Sequence, residues 1–351
     1  MQMFLILLFG ISFSSVSIAN PTLGLPPLSI PKNNPQTLEK VELGRLLFND
    51  SRFSADGSIS CASCHHSDKA FTDALKVPIG IDNQTGLRNA PTVVNSAFYE
   101  TLFLDGRAKS LEDQALGPFL SPVEHGLEDY KKVIKVIKQD SEYPILFKKV
   151  FNISINEITI DYVAKAIASF ERTLISANSL FDQYYFGRDH TKLSESAARG
   201  LRIFRRKGNC ANCHEISFDN ALFMDNRFYN IGVGSQRINK QLDDIVIALK
   251  SGKKIESIGL TAEQESELGR FNVTHIISDI GKFKTPTLRN ISLTAPYMHD
   301  GSIQTLEQVV DYYDKGEKHN AFVDAAFFPL NFTQQEKKDL VEFMKALTSS
   351  R

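Results

Sequence analysis

The sequence predicts a mainly α-helical protein built as two related units, with long loops between its helices. Three observations predict it. Apolar residues recur at helical spacing in several stretches, while strand-like alternation is scarce. The segment 91–112 recurs without a gap 195 positions downstream. The 351-residue length also exceeds one typical core and suggests two domains. With 42% hydrophobic and 23% charged residues the chain is ordinary globular material, which excludes disordered and fibrous classes. Forty basic against 41 acidic side chains leave no global field that would attract nucleic acid or an anionic membrane. Tryptophan is absent.

Taken in order, the first nineteen residues carry no charge, and Leu5 to Ile11 is almost wholly apolar. Ser17-Ile18-Ala19 offers the small-x-small pattern of a signal-peptidase site, so residues 1–19 are expected to be a signal peptide cleaved before Asn20. The apolar run is too short to cross ~30 Å of hydrocarbon as an anchor. The departure from the usual pattern is that no Lys or Arg precedes it. Export implies an oxidising compartment. Pro21 to Pro35 reads as an extended lead-in. Leu38, Val41, Leu43, Leu46 and Leu47 form a helical stripe, and Gly, Ser, Asp and Pro then mark 50–91 as a long irregular loop. Helical periodicity returns over 130–149, 158–174, 195–204, 306–313 and 334–347. The last of these opens on Thr333-Gln334-Gln335-Glu336, the spacing of a capping box.

The repeat pairs Pro91-Thr92 with Pro286-Thr287, Asn95 with Asn290, Asp105-Gly106 with Asp300-Gly301, and Leu111-Glu112 with Leu306-Glu307. Upstream, Gly44 to Phe48 matches Gly200 to Phe204. Two duplicated domains are expected, 20–187 and 188–351, meeting within 176–192.

All four cysteines fall in two pentapeptides, Cys61-Ala62-Ser63-Cys64-His65 and Cys210-Ala211-Asn212-Cys213-His214. C-x-x-C-H is the c-type haem attachment pattern: two thiols three positions apart add across the vinyl groups of one haem, and the next histidine supplies an imidazole to the iron. A zinc site would want its pairs closer in sequence or joined by tertiary structure. A thioredoxin-type dithiol needs one pair on a βαβ frame that is not apparent. Two short disulfides leave both histidines as coincidence. The reading is therefore two cytochrome c-like haem domains with two covalent haems c.

Several runs resemble the bacterial dihaem cytochrome c peroxidase / MauG family. They include Cys61–His66, Gly86-Leu87-Arg88-Asn89-Ala90-Pro91-Thr92, Leu104-Asp105-Gly106-Arg107-Ala108 and Glu112-Asp113-Gln114-Ala115-Leu116-Gly117-Pro118. Further matches are Pro122-Val123-Glu124, Phe283-Lys284-Thr285-Pro286-Thr287-Leu288-Arg289-Asn290 and Ala295-Pro296-Tyr297-Met298-His299-Asp300-Gly301. The resemblance spans roughly residues 36–349. It implies a periplasmic enzyme that reduces hydrogen peroxide at the His65 haem, with Glu124 and Gln114 on its distal side, the carboxylate moving protons. Electrons would enter through the His214 haem from a small cytochrome c or cupredoxin. It also implies Ca2+ between the domains, on Asn89, Thr294 and Pro296, and a homodimer as a frequent assembly. His125, beside Glu124, is expected to be an exposed loop histidine rather than a second proton carrier.

Three positions separate this chain from a plain copy of the peroxidases. These carry a removable histidine about sixteen residues past the proximal one, where this chain has Ile81, so the first iron is expected to stay open, as in the MauG branch. The sixth ligand of the second haem falls on Tyr313, fourteen residues after His299, where a peroxidase has methionine; Met298 and Met224 are the alternatives. A tyrosinate stabilises high iron oxidation states, whereas a thioether raises the potential. The tryptophan that normally precedes Asp-Gly-Arg between the haems is Leu104, which is not redox-active. The stretch 232–266, with Lys250, Lys253 and Lys254, is expected to be a surface excursion. Two other readings remain: a MauG-like oxidase that modifies residues of a partner protein, and an electron carrier with two six-coordinate haems.

Overall fold

Thr37 ends the proline-rich lead-in by accepting the Lys40 N–H on its hydroxyl, which starts α1, Leu38–Phe48. The computed structural model describes residues 22–349, so the expected signal peptide lies outside the described residues. The long irregular loop follows as predicted, containing only short 3-10 turns up to Phe98. Then come α2 (Leu111–Leu120), α3 (Lys131–Gln139), α4 (Tyr143–Phe151), α5 (Ile160–Glu171) and α6 (Leu180–Tyr185). The periodicity over 130–149 resolves into two helices because Asp140 accepts the N–H groups of Glu142 and Tyr143, restarting the chain with Pro144 in the new first turn. The second half runs α7 (Glu195–Arg205), β1 (Phe228–Tyr229), α8 (Leu242–Lys250), α9 (Ala262–Glu267), α10 (Phe271–Thr274), β2 (Phe283–Lys284), α11 (Leu306–Lys315) and α12 (Gln334–Lys345). β1 and β2 pair antiparallel, Tyr229 opposite Phe283. No helix among the described residues is long and apolar enough to cross a membrane.

The duplication is written into the backbone. Ser110 and Thr305, 195 apart, each cap the next helix by accepting an N–H three residues on. Asn95 and Asn290 are both left-handed, with φ 62° and 58°, and the isolated bridge Leu102–Ala108 recurs as Tyr297–Ile303. In the first unit α1 crosses α5 at Gly44, where a Cβ would lie 1.9 Å from the Ala166 carbonyl oxygen. In the second, α7 crosses α12 at Gly200, where a Cβ would lie 2.0 Å from the Asp339 carbonyl oxygen. Phe48 then meets Phe170 at 5.2 Å, and Phe204 meets Phe343 at 5.1 Å.

One core joins Leu43, Leu47, Phe119, Val133, Phe147 and Ile167; the other joins Phe181, Leu201, Phe223, Leu306, Leu340 and Phe343. Phe181, the first buried residue of the second core, lies inside the stretch where the halves were expected to meet. The lead-in is tied to the second unit: the Gly24 carbonyl accepts from Arg289 Nη2 at 2.6 Å, and Arg289 is buried against Asp182. The 232–266 stretch is more than a surface excursion. Its lysines are exposed, but Ile238, Leu242 and Ile245 form a third small core with Leu268, Phe271 and Ile280. Its end is bound to the first unit by Arg88, which donates to the Ser266 carbonyl at 2.9 Å.

Candidate haem centres

Each pentapeptide is wound into a 3-10 turn, so its two cysteines and its histidine project together. Cys64 and His65 both donate backbone N–H to the Cys61 carbonyl, and Cys213 and His214 do the same to Cys210. All four thiols are free, which removes the disulfide reading. Burial pushes the Cys64 and Cys210 thiols up to about 12 and raises Cys61 further, the opposite of what a reactive dithiol needs. No group of three His, Cys, Asp or Glu among the described residues is placed to share a metal ion, as zinc would need.

Both histidines are oriented by the backbone. His65 Nδ1 lies 3.0 Å from the Phe71 carbonyl oxygen and His214 Nδ1 lies 2.9 Å from that of Phe223. A carbonyl only accepts, so Nδ1 carries the proton and Nε2 keeps its lone pair for a metal. Burial holds both imidazoles below their ordinary range, which favours the neutral form that ligates iron.

At the first pentapeptide, Glu124 sits on the turn that leaves α2, and its charge is felt by both Cys61 and Cys64. Burial raises its carboxyl, against the opposing pull of Ser121 and Arg107. Ile81 is docked on the same turn: its N–H faces the Val123 carbonyl at 3.1 Å and its side chain is buried. Gly80 permits this approach, since a Cβ there would lie 1.8 Å from the Val123 carbonyl oxygen. Gln114 is half-buried on α2, and its carboxamide makes no hydrogen bond among the described residues. His125 corrects an expectation. It is not an exposed loop residue but is 3% exposed, packed edge-on to Phe119 at 5.1 Å, and burial lowers it to about 4, so it is a neutral core histidine.

At the second pentapeptide a cavity of ≈ 280 Å³ opens beside Cys210, Cys213 and His214, walled by Phe204, Leu288, Leu306, Val310, Leu340 and Met344. These apolar walls, and an imidazole whose Nδ1 is already engaged by a backbone carbonyl, fit a haem c held by the two thiols. Tyr313 of α11 lines the same cavity, and burial raises its phenol. Its neighbour Tyr312 is occupied elsewhere, donating to the Ile231 carbonyl at 2.7 Å. Met298 also lines the cavity, whereas Met224 is packed next to Phe223 outside it. Leu104 reaches this cavity from the first unit, its carbonyl accepting the Lys284 N–H at 2.8 Å. Asn89, Thr294 and Pro296 are also among the residues that line it. The Asn89 amide nitrogen donates to the Leu75 carbonyl at 2.8 Å, leaving its oxygen unengaged.

Two groups were not foreseen. Lys284 is buried with its ammonium 3.7 Å from the Tyr99 ring centre and 2.6 Å from the Thr101 carbonyl oxygen, and burial lowers it to about 7. Its place in the Phe283–Asn290 run was the available signal. Glu171 is buried near Cys61 with an unpartnered Oε2, and burial pushes it up to about 8. A lone Glu at the end of an amphipathic helix gives no sequence signal.

Residues 38–190 match the family described as di-haem cytochrome c peroxidase. The cytochrome-c peroxidase IdrP1 of Pseudomonas sp. strain SCT is 34% identical over 346 residues, covering 97% of this chain and 89% of that protein. The chain belongs to the di-haem cytochrome c peroxidase/MauG family. The methylamine utilization protein MauG of Methylorubrum extorquens is 34% identical over 317 residues, covering 90% of this chain and 80% of its own. Among solved structures, a MauG-like protein associated with microbial copper homeostasis superposes with a TM-score of 0.76 at 32% identity, covering 93% of this chain and 94% of its own. Membership makes the chain an oxidoreductase with haem c as its cofactor, and the duplicated helical fold is that of this di-haem family.

Proposed function

We propose that the protein is a periplasmic peroxidase that reduces hydrogen peroxide to water at the His65 centre, drawing electrons through the His214 centre from a small cytochrome c or cupredoxin. The observation that carries this reading is the turn bearing Glu124: a raised carboxyl lies within electrostatic reach of Cys61 and Cys64, and the loop position that holds a blocking histidine in peroxidases is Ile81, docked on that turn. Bound at these sites, the haems supply the electron-transfer chemistry. The chain supplies the rest. Cys61, Cys64 and His65 would hold one haem, and Cys210, Cys213, His214 and Tyr313 would hold the other. Glu124 accepts a proton from one peroxide oxygen and returns it to the other, and Gln114 orients the peroxide through its unengaged carboxamide. Ile81 is aliphatic and offers no atom that could ligate iron, so it would leave the His65 centre open to peroxide.

The MauG-like reading, in which oxidising equivalents are spent on residues of a partner protein, is favoured by the same Ile81 and by Tyr313 on the second cavity. Peroxide-treated protein separates the two: rapid return to the ferric spectrum on adding reduced cytochrome c supports the peroxidase. Decay only with a protein substrate would overturn it in favour of the oxidase. Export rests on the 1–19 segment and on the haem attachment sites, since c-type haem is generally attached outside the cytoplasm.

Calcium is proposed at the Asn89 side-chain oxygen and the Thr294 and Pro296 carbonyls, hard oxygen donors of the kind Ca2+ takes. Dialysis against a calcium chelator should lower the thermal unfolding midpoint, and added Ca2+ should restore it. An unchanged midpoint, with no calcium found in the protein by elemental analysis, would refute the site.

A further inference from the structure

Four tyrosines line the cavity of the Cys210–His214 centre, and they differ in what their hydroxyls touch. Tyr99 accepts from the Thr287 N–H, Tyr297 donates to the Ile291 carbonyl, and Tyr313 makes no hydrogen bond among the described residues. Tyr229 alone donates to a carboxylate, with its hydroxyl 2.7 Å from Asp225 Oδ2. The distinction is chemical. A phenol that loses an electron becomes a strong acid, so a base within hydrogen-bond reach decides which tyrosine can be oxidised at ordinary potentials. A backbone carbonyl is too weak a base, whereas a carboxylate suffices.

The surroundings fix this pair. Tyr229 is held by the pairing of β1 with β2, opposite Phe283, and lies beside Cys213. The Arg227 N–H occupies Asp225 Oδ1 at 3.0 Å, which leaves Oδ2 for the phenol. Tyr229 and Asp225 are both half-buried and Arg227 is exposed, so the pair spans from the cavity to the surface. Burial and the Asp225 carboxylate raise the phenol, so it rests in its protonated form.

We propose that Tyr229, with Asp225 as its proton acceptor, is the outlet through which oxidising equivalents from hydrogen peroxide leave the second haem for a reductant at the surface. This rests on the peroxide-reducing reading above. Reduction of one peroxide to two waters takes two electrons and two protons. When no donor cytochrome is present, Tyr229 would supply these two electrons in two successive one-electron steps to the centre held by Cys210, Cys213 and His214, while the two protons come from the solvent. In each step the phenolic proton moves to Asp225 Oδ2, and a neutral phenoxyl radical remains. A surface reductant of the phenol or indole class then returns one electron to the ring, and Asp225 returns the proton.

The test is freeze-quench electron paramagnetic resonance of the di-haem protein mixed with one equivalent of hydrogen peroxide and no donor, with the Soret band followed in parallel. A neutral tyrosyl signal is expected in the native protein. It should fall at least tenfold in Tyr229→Phe and in Asp225→Asn and recover in Asp225→Glu, while the Soret change persists in all four. A tyrosyl signal of equal size in Tyr229→Phe, or a Soret change with no radical in the native protein, overturns the outlet and leaves the peroxidase reading intact. No Soret change in the native protein sinks that reading, and this inference with it.

Discussion

Glu124 and Leu104 are the residues at which the proposed chemistry is most directly tested. Because burial raises the Glu124 carboxyl, its base form appears only as pH rises through a value above the ordinary ~4.3 of a glutamate. The peroxide reaction should therefore show an acid limb above that value, fast on its alkaline side and slow below it. In Glu124→Gln the rate should drop by ~10²–10⁴ and the limb should vanish, as expected for loss of a general acid–base group. Stopped-flow mixing with peroxide across pH checks this, and an unaltered limb in the variant would remove Glu124 from the role. Leu104 lines the second cavity from the first unit without offering a redox-active ring. Leu104→Trp should speed electron equilibration between the haems after partial flash reduction, and an unchanged rate would show that the aliphatic residue limits nothing.

At the scale of elements, the helices with clean amphipathic stripes, α1, α5, α7, α11 and α12, were legible in the sequence. At α12 the N-terminal cap reinforces the reading, since the helix uses the Thr333–Glu336 box. α2 was not legible, because Gly117 and Pro118 interrupt its periodicity although the helix runs through both. α8 was hidden for another reason: its apolar face packs on Leu268, Phe271 and Ile280 in a small core that exists only in tertiary structure. The repeated glycines were visible as matches but not as causes. Gly200 lets α7 approach α12 until a Cβ would strike a backbone carbonyl, an atom that cannot swing aside. Gly200→Ala should lower stability by about 1–3 kcal/mol, as overpacking does. Denaturant unfolding should show a lower midpoint at unchanged slope, and an unshifted midpoint would mean that the crossing is not tight.

At the scale of the molecule, the two haem sites are one device used twice. The 195-residue offset reproduces caps, left-handed turns and bridges, and both histidines hold their Nδ1 protons against backbone carbonyls. What differs between the copies is what surrounds each pentapeptide: Glu124 and Ile81 near the first, Tyr313 and an apolar cavity at the second. The pentapeptides were readable from spacing alone, and the family from the motif runs that resemble it. The distal sides were readable only through resemblance, since no periodicity brings Ile81 onto the Glu124 turn or Tyr313 to the cavity. The proposed asymmetry, one centre open to peroxide and the other closed by a protein ligand, is the central claim. The optical and electron paramagnetic resonance spectra of the ferric protein, before and after one equivalent of hydrogen peroxide, test it most directly. The account predicts one high-spin and one low-spin haem, with the high-spin signal lost on adding peroxide. Two low-spin haems that peroxide leaves unchanged would contradict it.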